Sequence, residues 1–357
     1  YPRTIGKDGK LKVTRKNDWT EGFYPGCLWY VYEYTNKEDW KKAAIKWTES
    51  LEPLKKMTNH HDIGFLMYCS FGNAYRLTGN EAYKDVLVES ARSLCTRFNE
   101  KTGCIKSWNY RKSWNGKDEW FYPVIIDNMM NLELLYFATK VTGDSVYAKV
   151  ANRHAETTAK NQFREDYSNY HVVNYDAETG EVLNQATCQG FSDNSAWARG
   201  QAWAIYGYTM AYRETHRQDF LDMAVHTADF WLNHPNLPED GIPYWDFNAG
   251  QEDYVPDWNY DPEIFKVVPR DASAAAIVAS AFLELSGYVT DGKKYSAAAA
   301  HILKSLSFPA YLAEPGTNCN FILMHSVGSI PHGEEIDVPL IYADYYYLEA
   351  LMRYKNM

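Results

Sequence analysis

Apolar and polar stretches alternate along the chain in a pattern that recurs five times. An apolar stretch ends in Thr and a short polar turn, and an amphipathic stretch follows. The five turns read TNKEDW from Thr35, TGNEAY from Thr78, TGDSVY from Thr142, THRQDF from Thr215 and TDGKKY from Thr290. Gly, Asn and Asp in such turns stop one helix and start the next. We therefore predict helical hairpins, each with two antiparallel helices.

The two stretches of a hairpin differ in their surfaces. First stretches are apolar or small on every side, as in WARGQAWAIYGYTMAYRE (197–214) and RDASAAAIVASAFLELSGYV (270–289). Second stretches carry charges on one face, as in NEAYKDVLVESARSL (80–94). A helix that is apolar all round is buried, and an amphipathic helix covers it. The pattern predicts an all-α barrel in which inner and outer helices alternate around a closed ring.

The number of helical stretches is one short of a complete ring of six hairpins. Inner stretches begin near residues 24, 61, 125, 195, 270 and 336, and outer stretches follow the first five. Little in residues 1–20 reads as a helix, so we expect the remaining outer helix to precede Tyr1. We treat residues 1–357 as a single domain. The start at Tyr1 fits a removed export signal and, equally well, a sequence given without its first residues, and we slightly favour the bacterial periplasm over the cytoplasm.

The connections from each outer stretch to the next inner stretch are long. They span residues 95–123, 162–193, 235–269 and 307–335, and they are rich in Trp, Tyr, Gly, Pro and Asp. Long loops in a compact domain are usually functional. All of them lie at the end where inner helices begin, so we predict a loop-built crater there. YHVVNYD (170–176) is expected to form a small β-hairpin in it.

Composition narrows the class of ligand. The net charge is −10 without a basic run, which argues against nucleic acid and anionic membrane surfaces. No Gly-rich phosphate loop, Gly-x-Ser-x-Gly or His-Glu-x-x-His motif occurs, and the six cysteines lack zinc spacing. The 12 Trp and 29 Tyr residues suit a site that stacks sugar rings, although most aromatic residues serve packing.

Polar residues concentrate where the inner stretches begin. They are His61–Asp62, Asp127–Asn128, Asp193–Asn194, Arg270–Asp271 and Asp337. Asp127 lies among apolar residues in FYPVIIDNMMNLELL, where burial raises the pKa of a carboxyl group, as a general acid near neutral pH requires. Helix capping is the competing interpretation. Asp62, in NHHDIGF, has the same ambiguity.

Three further positions are candidates for sugar binding. His171 lies in a crater loop. In WARGQAW, Arg199 and Trp203 share a helix face, where a guanidinium beside an indole can hold a carboxylate and stack a ring. A buried structural arginine is the alternative for Arg199.

Several blocks together resemble the unsaturated glucuronyl hydrolases of glycoside hydrolase family 88. These blocks are DWTEGFYPGCLWYVYEYT (18–35), HHDIGF (60–65), IIDNMMNLELL (125–135), HVVNYDAETGEV (171–182), QGFSDNSAWARGQAWAIYGY (189–208), PRDASAAAI (269–277) and DVPLIYADYYYLEAL (337–351). The resemblance implies an (α/α)6 barrel and the release of 4,5-unsaturated uronic acid from the nonreducing end of lyase-generated oligosaccharides. In that family an acid protonates C4 of the C4=C5 vinyl ether and water adds at C5.

The resemblance also implies site residues by motif position. Asp127 matches the catalytic acid/base and Asp62 the second essential carboxylate. Substrate-contacting positions are Trp29, His61, His171, Gln189, Trp197, Arg199 and Trp203. No metal or organic cofactor is required, and we expect a monomer. One departure is Cys188, which stands where histidine is expected in most relatives.

Two alternatives stay open from the sequence. An unsaturated rhamnogalacturonyl hydrolase shares the barrel and the chemistry but acts on pectin fragments, and the WARGQAW and PRDASAAA blocks favour the glucuronyl branch. A noncatalytic helical-repeat protein that binds sugars would keep the aromatic residues, but it would not need acids at the starts of inner helices.

Overall fold

The computed structural model describes residues 1–14 and 17–357, and within them six inner and five outer helices alternate along the chain. In chain order the helices are α1 (Phe23–Thr35), α2 (Glu38–Glu49), α3 (Ile63–Met67), α4 (Asn73–Thr78), α5 (Glu81–Cys95), α6 (Leu132–Thr142), α7 (Val146–Asn161), α8 (Ala198–Thr215), α9 (Gln218–Asn233), α10 (Ala272–Leu285), α11 (Gly292–Leu306) and α12 (Ile341–Lys355). A π-helical turn, Tyr68–Gly72, joins α3 and α4 into one inner helix. None of the described helices is long and apolar enough to cross a membrane.

Burial separates the inner helices from the outer ones as the sequence pattern predicts. Every residue of α8 from 198 to 211 is buried, whereas α2 buries only Ala44 and Thr48. α10 packs between α8 and α12, and α12 packs against α1, which closes the ring of inner helices. The predicted all-α barrel is therefore confirmed.

The same hydrogen-bonding arrangement at the repeated Thr ends the inner helix at four of the five turns. In each case the Thr hydroxyl donates to the carbonyl oxygen four residues earlier and accepts from the backbone N–H two residues later. The four are Thr35, Thr78, Thr142 and Thr215. Asn36, Gly79, Gly143 and His216 follow them with left-handed φ angles of 53–75°. The fifth turn differs, because α10 ends at Leu285, earlier than the predicted stretch to residue 289.

The strands lie in the N-terminal segment and in the crater loops. They are β1 (Pro2–Ile5), β2 (Leu11–Val13), β3 (Phe98–Asn99), β4 (Cys104–Ile105), β5 (Arg111–Lys112), β6 (Glu119–Trp120), β7 (Pro123–Ile125), β8 (Val172–Tyr175) and β9 (Val182–Ala186). β1 and β2 form a hairpin beside α12 and account for the predicted absence of a helix there; residues 15 and 16 lie outside the described residues. The outer helix expected before Tyr1 stays a prediction.

One antiparallel sheet positions the residues at the start of the third inner helix. β8 pairs with β9, as expected for a hairpin, and also with β7. In this register Ile125 lies opposite Val172, and the N–H of Ile126 donates to the carbonyl oxygen of His171 at 3.0 Å. The sheet thereby brings His171 beside Asp127.

Gly64 of α3 packs closely against Asn131 of the 3-10 helix that carries Asp127, and this contact can be tested by substitution. A Cβ on Gly64 would lie 2.5 Å from Cα of Asn131, at the end of the 3-10 helix that carries Asp127. We expect Gly64→Ala to lower the free energy of unfolding by about 1–3 kcal/mol through overpacking. Urea denaturation measures it. Gly287→Ala is the control, since its Cβ would meet its nearest neighbour at 3.5 Å. Equal stability losses in the two variants would contradict the prediction.

Candidate active site

Two cavities lie at opposite ends of the barrel. The larger, about 630 Å³, is lined by the later turns of inner helices. Its charged groups already pair with one another, as Arg213 does with Glu133 and Glu284. The second, about 290 Å³, lies in the crater where the inner helices begin. Asp62, Asp127, Gln189 and Arg199 line it together. The crater cavity is therefore the candidate site.

Asp127 is buried but does not cap a helix. It belongs to the 3-10 helix Ile126–Asn131, whose N-cap is Ile125 without a side-chain hydrogen bond. Only 8% of Asp127 is exposed, and its Oδ2 has no hydrogen-bond partner among the described residues. Burial raises the pKa of this carboxyl to about 7, although the charge of Arg199 opposes the shift. The local structure thus removes capping as an explanation and leaves a carboxyl that holds a proton near neutral pH.

His171 presents an N–H to this carboxyl. Its Nδ1 accepts hydrogen bonds from the backbone N–H groups of Cys188 and Gln189 at 3.0 and 3.1 Å. Burial first, and Arg199 second, hold the pKa of His171 well below its usual range, so the ring is neutral. A neutral ring that accepts at Nδ1 carries its proton on Nε2. Nε2 lies 3.7 Å from Oδ2 of Asp127, and the contact is not an ion pair because the imidazole is neutral.

Asp62 lies in the same cavity, but its pKa shifts in the opposite direction from that of Asp127. Burial raises its pKa, but His60 and His61 outweigh this effect and the net shift is downward. Nδ1 of His60 and Nε2 of His61 lie 3.2 and 3.3 Å from its carboxylate oxygens. Asp62 precedes α3 and, like Asp127, makes no capping hydrogen bond. The cavity therefore combines an ionised carboxylate with a proton-bearing carboxyl.

The four Nη donors of Arg199 have protein acceptors. Its Nη1 donates to Oδ2 of Asp271 at 3.1 Å and to the carbonyl oxygen of Val327. Its Nη2 donates to Oε1 of Gln189 at 3.1 Å and to the carbonyl oxygen of Gly328 at 2.6 Å. These contacts tie the 307–335 loop to α8 and α10. They favour the structural interpretation of Arg199 over the binding of a substrate carboxylate.

The three predicted tryptophans occupy different places. Trp197 packs against His171 with ring centroids 4.6 Å apart. Trp203 is fully buried against Phe65, and its indole N–H approaches the Asp127 carboxyl without meeting hydrogen-bond geometry. Trp29 does not reach the cavity, because its Nε1 donates to Oγ1 of Thr48 on the outer helix α2 at 2.9 Å. His61 is fully buried behind Asp62 and does not line the cavity either.

Of the polar residues expected where the inner helices begin, Asp62 and Asp127 line the cavity and the others do not, as three examples show. Asp193 accepts from the backbone N–H of Thr187, and Asp337 pairs with His325. Arg270 pairs with Asp240. The expectation that these side chains converge with Asp127 is wrong, because each of them pairs with a group of a loop segment outside the cavity.

The cavity also contains residues that the sequence did not single out. Arg3 reaches it from β1 and pairs with Asp18 and with Glu335 near the other end of the chain, contacts that leave no local pattern in the sequence. Trp108 and Arg111 come from SWNYR in the first crater loop, where an aromatic residue close to a cation was a usable signal. Within residues 1–14 and 17–357, no cluster of three or more His, Cys, Asp or Glu side chains could hold a metal ion.

An α/α barrel with one proton-bearing and one ionised carboxyl in its crater has the features of a glycoside hydrolase. Residues 3–236 match the sequence profile of Glycosyl Hydrolase Family 88. An unsaturated glucuronyl hydrolase from Formosa agariphila is 50% identical over 360 residues, covering 100% of this chain and 85% of the relative. An unsaturated chondroitin disaccharide hydrolase from Streptococcus agalactiae is 35% identical over 370 residues, covering 99% of this chain and 85% of that relative.

A solved structure agrees with the sequence matches. The crystal structure of an unsaturated glucuronyl hydrolase specific for heparin has a TM-score of 0.91 and 47% identity, covering 100% of this chain and 91% of that one. The chain therefore belongs to glycoside hydrolase family 88. The resemblance inferred from the sequence blocks is confirmed.

The anchoring role of Arg199 is testable by stability. Arg199→Met leaves Asp271 buried without its counter-charge, so we expect the free energy of unfolding to fall by about 3–5 kcal/mol. Urea denaturation provides the measurement. Arg217→Met is the matched control, because Arg217 pairs with Glu156 and Asp219 at the surface and its loss should cost about 0–1 kcal/mol. A small loss for Arg199→Met would show that the loop is held by other contacts.

Proposed function

We propose that this enzyme removes a 4,5-unsaturated uronic acid from the nonreducing end of lyase-generated oligosaccharides, with Asp127 as the acid. One observation carries the proposal: the buried Asp127 carboxyl has a pKa of about 7 and an Oδ2 without a hydrogen-bond partner among the described residues. A proton transfer to carbon requires an acid that is neutral at the working pH. The activities named for the relatives support the same reaction.

The chemistry follows from the vinyl ether. The ring oxygen donates electron density through C5 to C4, so C4 accepts the proton of Asp127 and positive charge develops at C5 and the ring oxygen. Water then bonds to C5 and gives its proton to a base. The resulting hemiketal opens by breaking the bond between C5 and the ring oxygen, which leaves a ketone at C5 and a hemiacetal at C1. Collapse of the hemiacetal releases the neighbouring sugar, and one water is consumed overall.

The two carboxyl groups suit different steps of this sequence. Asp62, with its lowered pKa, is an anion that can stabilise the positive charge at C5 or take the proton of the attacking water. Asp127 becomes a carboxylate after the first transfer, and the Nε2–H of His171, 3.7 Å away, faces that developing charge. We also assign Gln189 to the sugar, because it lines the cavity and adjoins His171 and Arg199, whereas Trp197 is buried against His171 and supports that ring from outside the cavity.

The alternatives find less support. A noncatalytic sugar-binding protein has no use for a buried acid with a raised pKa, which costs stability. A rhamnogalacturonyl hydrolase would use the same acid, so substrate comparison is the test. Wild-type enzyme should remove the ultraviolet absorbance of unsaturated glycosaminoglycan disaccharides faster than that of pectin fragments. An unchanged signal with every such substrate would contradict the proposed reaction.

Asp127→Asn tests the acid directly. The amide cannot donate a proton to carbon, so we expect turnover to fall by at least about a hundredfold while substrate binding, measured by calorimetry, persists. Asp193→Asn is the control, since burial also raises the pKa of Asp193 but its side chain lies outside the cavity. It should retain turnover. Activity retained in Asp127→Asn would move the acid role to another group, first to Asp62.

The pH profile provides an independent check. Because burial raises the pKa of Asp127 to about 7, the protonated fraction declines above that pH. We expect kcat/KM to fall about tenfold per pH unit on the alkaline side, and to hold on the acidic side while Asp62 remains ionised. Rates measured from about pH 5 to about pH 9 decide this. A rate that rises through the alkaline range would rule out a neutral Asp127 as the active form.

A further inference from the structure

Three arginines line the crater cavity, and they differ in how their charge is balanced. Arg3 pairs with Asp18 and Glu335. Arg199 pairs with Asp271, and its remaining Nη donors meet other protein acceptors. Arg111 lines the same cavity, but no carboxylate lies within ion-pair distance of it among residues 1–14 and 17–357. Its positive charge is therefore available to a ligand.

Neutral groups hold the Arg111 guanidinium in place. Its Nη2 donates to Nε2 of His332, and its Cζ lies 5.2 Å from the ring centroid of Trp108. His332 is fixed in turn by the Ser329 hydroxyl, 2.5 Å from its Nδ1, and by the Trp114 ring at 4.5 Å. These contacts join the first crater loop to the last one across the cavity.

The neighbours of Arg111 do not cancel its charge. Burial, and then the charge of Arg111 itself, lower the pKa of His332 to about 4, so the imidazole is neutral and accepts the hydrogen bond. Burial raises the pKa of the nearby Cys188 thiol to about 11, although Arg111 opposes the shift, so the thiol is uncharged as well. An oriented guanidinium flanked by neutral groups resembles the fork that binds carboxylate or sulfate through two parallel hydrogen bonds.

The position of Arg111 relative to Asp127 suits a sugar bound between them. Asp127 contacts His171 at 3.7 Å, and the His171 ring lies 6.1 Å from that of Trp108, which in turn lies beside Arg111. Arg111 thus stands on the same wall as the acid, separated from it by two rings. A group attached to the reacting uronate or to the next sugar along the chain can span this separation.

We infer that Arg111 is a substrate-binding and specificity-determining residue that pairs with an anionic group of the oligosaccharide. The group is the carboxylate of the unsaturated uronate or a sulfate ester of the adjoining sugar, which share this chemistry. The inference rests on the proposed function. It also assigns to Arg111 the role that the sequence pattern suggested for Arg199.

The test compares kinetic constants of Arg111→Gln and Arg111→Lys with those of the wild-type enzyme on unsaturated disaccharides with and without sulfate. We expect Arg111→Gln to raise KM by about 10- to 100-fold with little change in kcat, since a hydrogen bond to a charged group is lost. Arg111→Lys keeps the positive charge but cannot form two parallel hydrogen bonds, so its KM should lie between those of the wild-type enzyme and Arg111→Gln. Lys112→Gln is the matched control, because it removes the same charge from an adjacent exposed side chain of β5.

Each outcome decides one question. A rise in KM with all disaccharides identifies the uronate carboxylate as the partner, and a rise confined to sulfated disaccharides identifies the sulfate. An unchanged KM in Arg111→Gln, or a rise that Lys112→Gln reproduces, overturns the inference. Loss of kcat alone also overturns it. A wild-type enzyme that consumes none of the disaccharides refutes the proposed function instead, so the two failures are distinguishable.

Discussion

Each inner helix is enclosed by its neighbours along most of its length, and a polar side chain there would lose its hydration without replacement. α8 is buried without interruption from residue 198 to 211, and α10 is nearly as enclosed. The polar and charged side chains of a site are therefore expected at the ends of the inner helices. At the crater end the helices present their N-termini, whose partial positive charge favours an anionic ligand in an otherwise acidic protein. The position of the site is a consequence of how the barrel buries its helices.

The same burial produces opposite results for two carboxyl groups in one cavity. Asp127 follows a strand and lies in a 3-10 helix, where burial outweighs the opposing charge of Arg199, so its pKa rises. Asp62 is buried too, but two adjacent histidines contact its oxygens and lower its pKa. A shared cavity thus separates an acid from an anion without a metal ligand set among the described residues. The two residues are of the same type, so their different protonation states follow from their surroundings.

Much of the fold was predictable from local pattern. The alternation of apolar and amphipathic stretches indicates inner and outer helices, and the repeated Thr marks where inner helices end, because its hydroxyl bonds within a few residues of itself. The apolar neighbours of Asp127 likewise indicate a raised pKa. A strand of a hairpin within residues 170–176 was predictable, but the pairing of this strand with β7, which brings His171 to Asp127, was not. That pairing joins segments almost fifty residues apart, and no periodic pattern in the sequence predicts it.

Side-chain direction and charge balance within the site depend on tertiary structure. Trp29 belongs to a matching block, yet it points to Thr48 on an outer helix. Arg199 looks like a carboxylate binder in sequence, but four acceptors from three other segments occupy its Nη donors. Arg111, on the short strand β5 of the first crater loop, has no carboxylate partner among residues 1–14 and 17–357. The sequence by itself determined the barrel and its crater end and indicated a buried carboxyl at Asp127, since these follow from hydrophobic periodicity and immediate neighbours. Only the tertiary structure decided which arginine of the cavity has no carboxylate partner among the described residues, because that depends on which loops meet across the cavity.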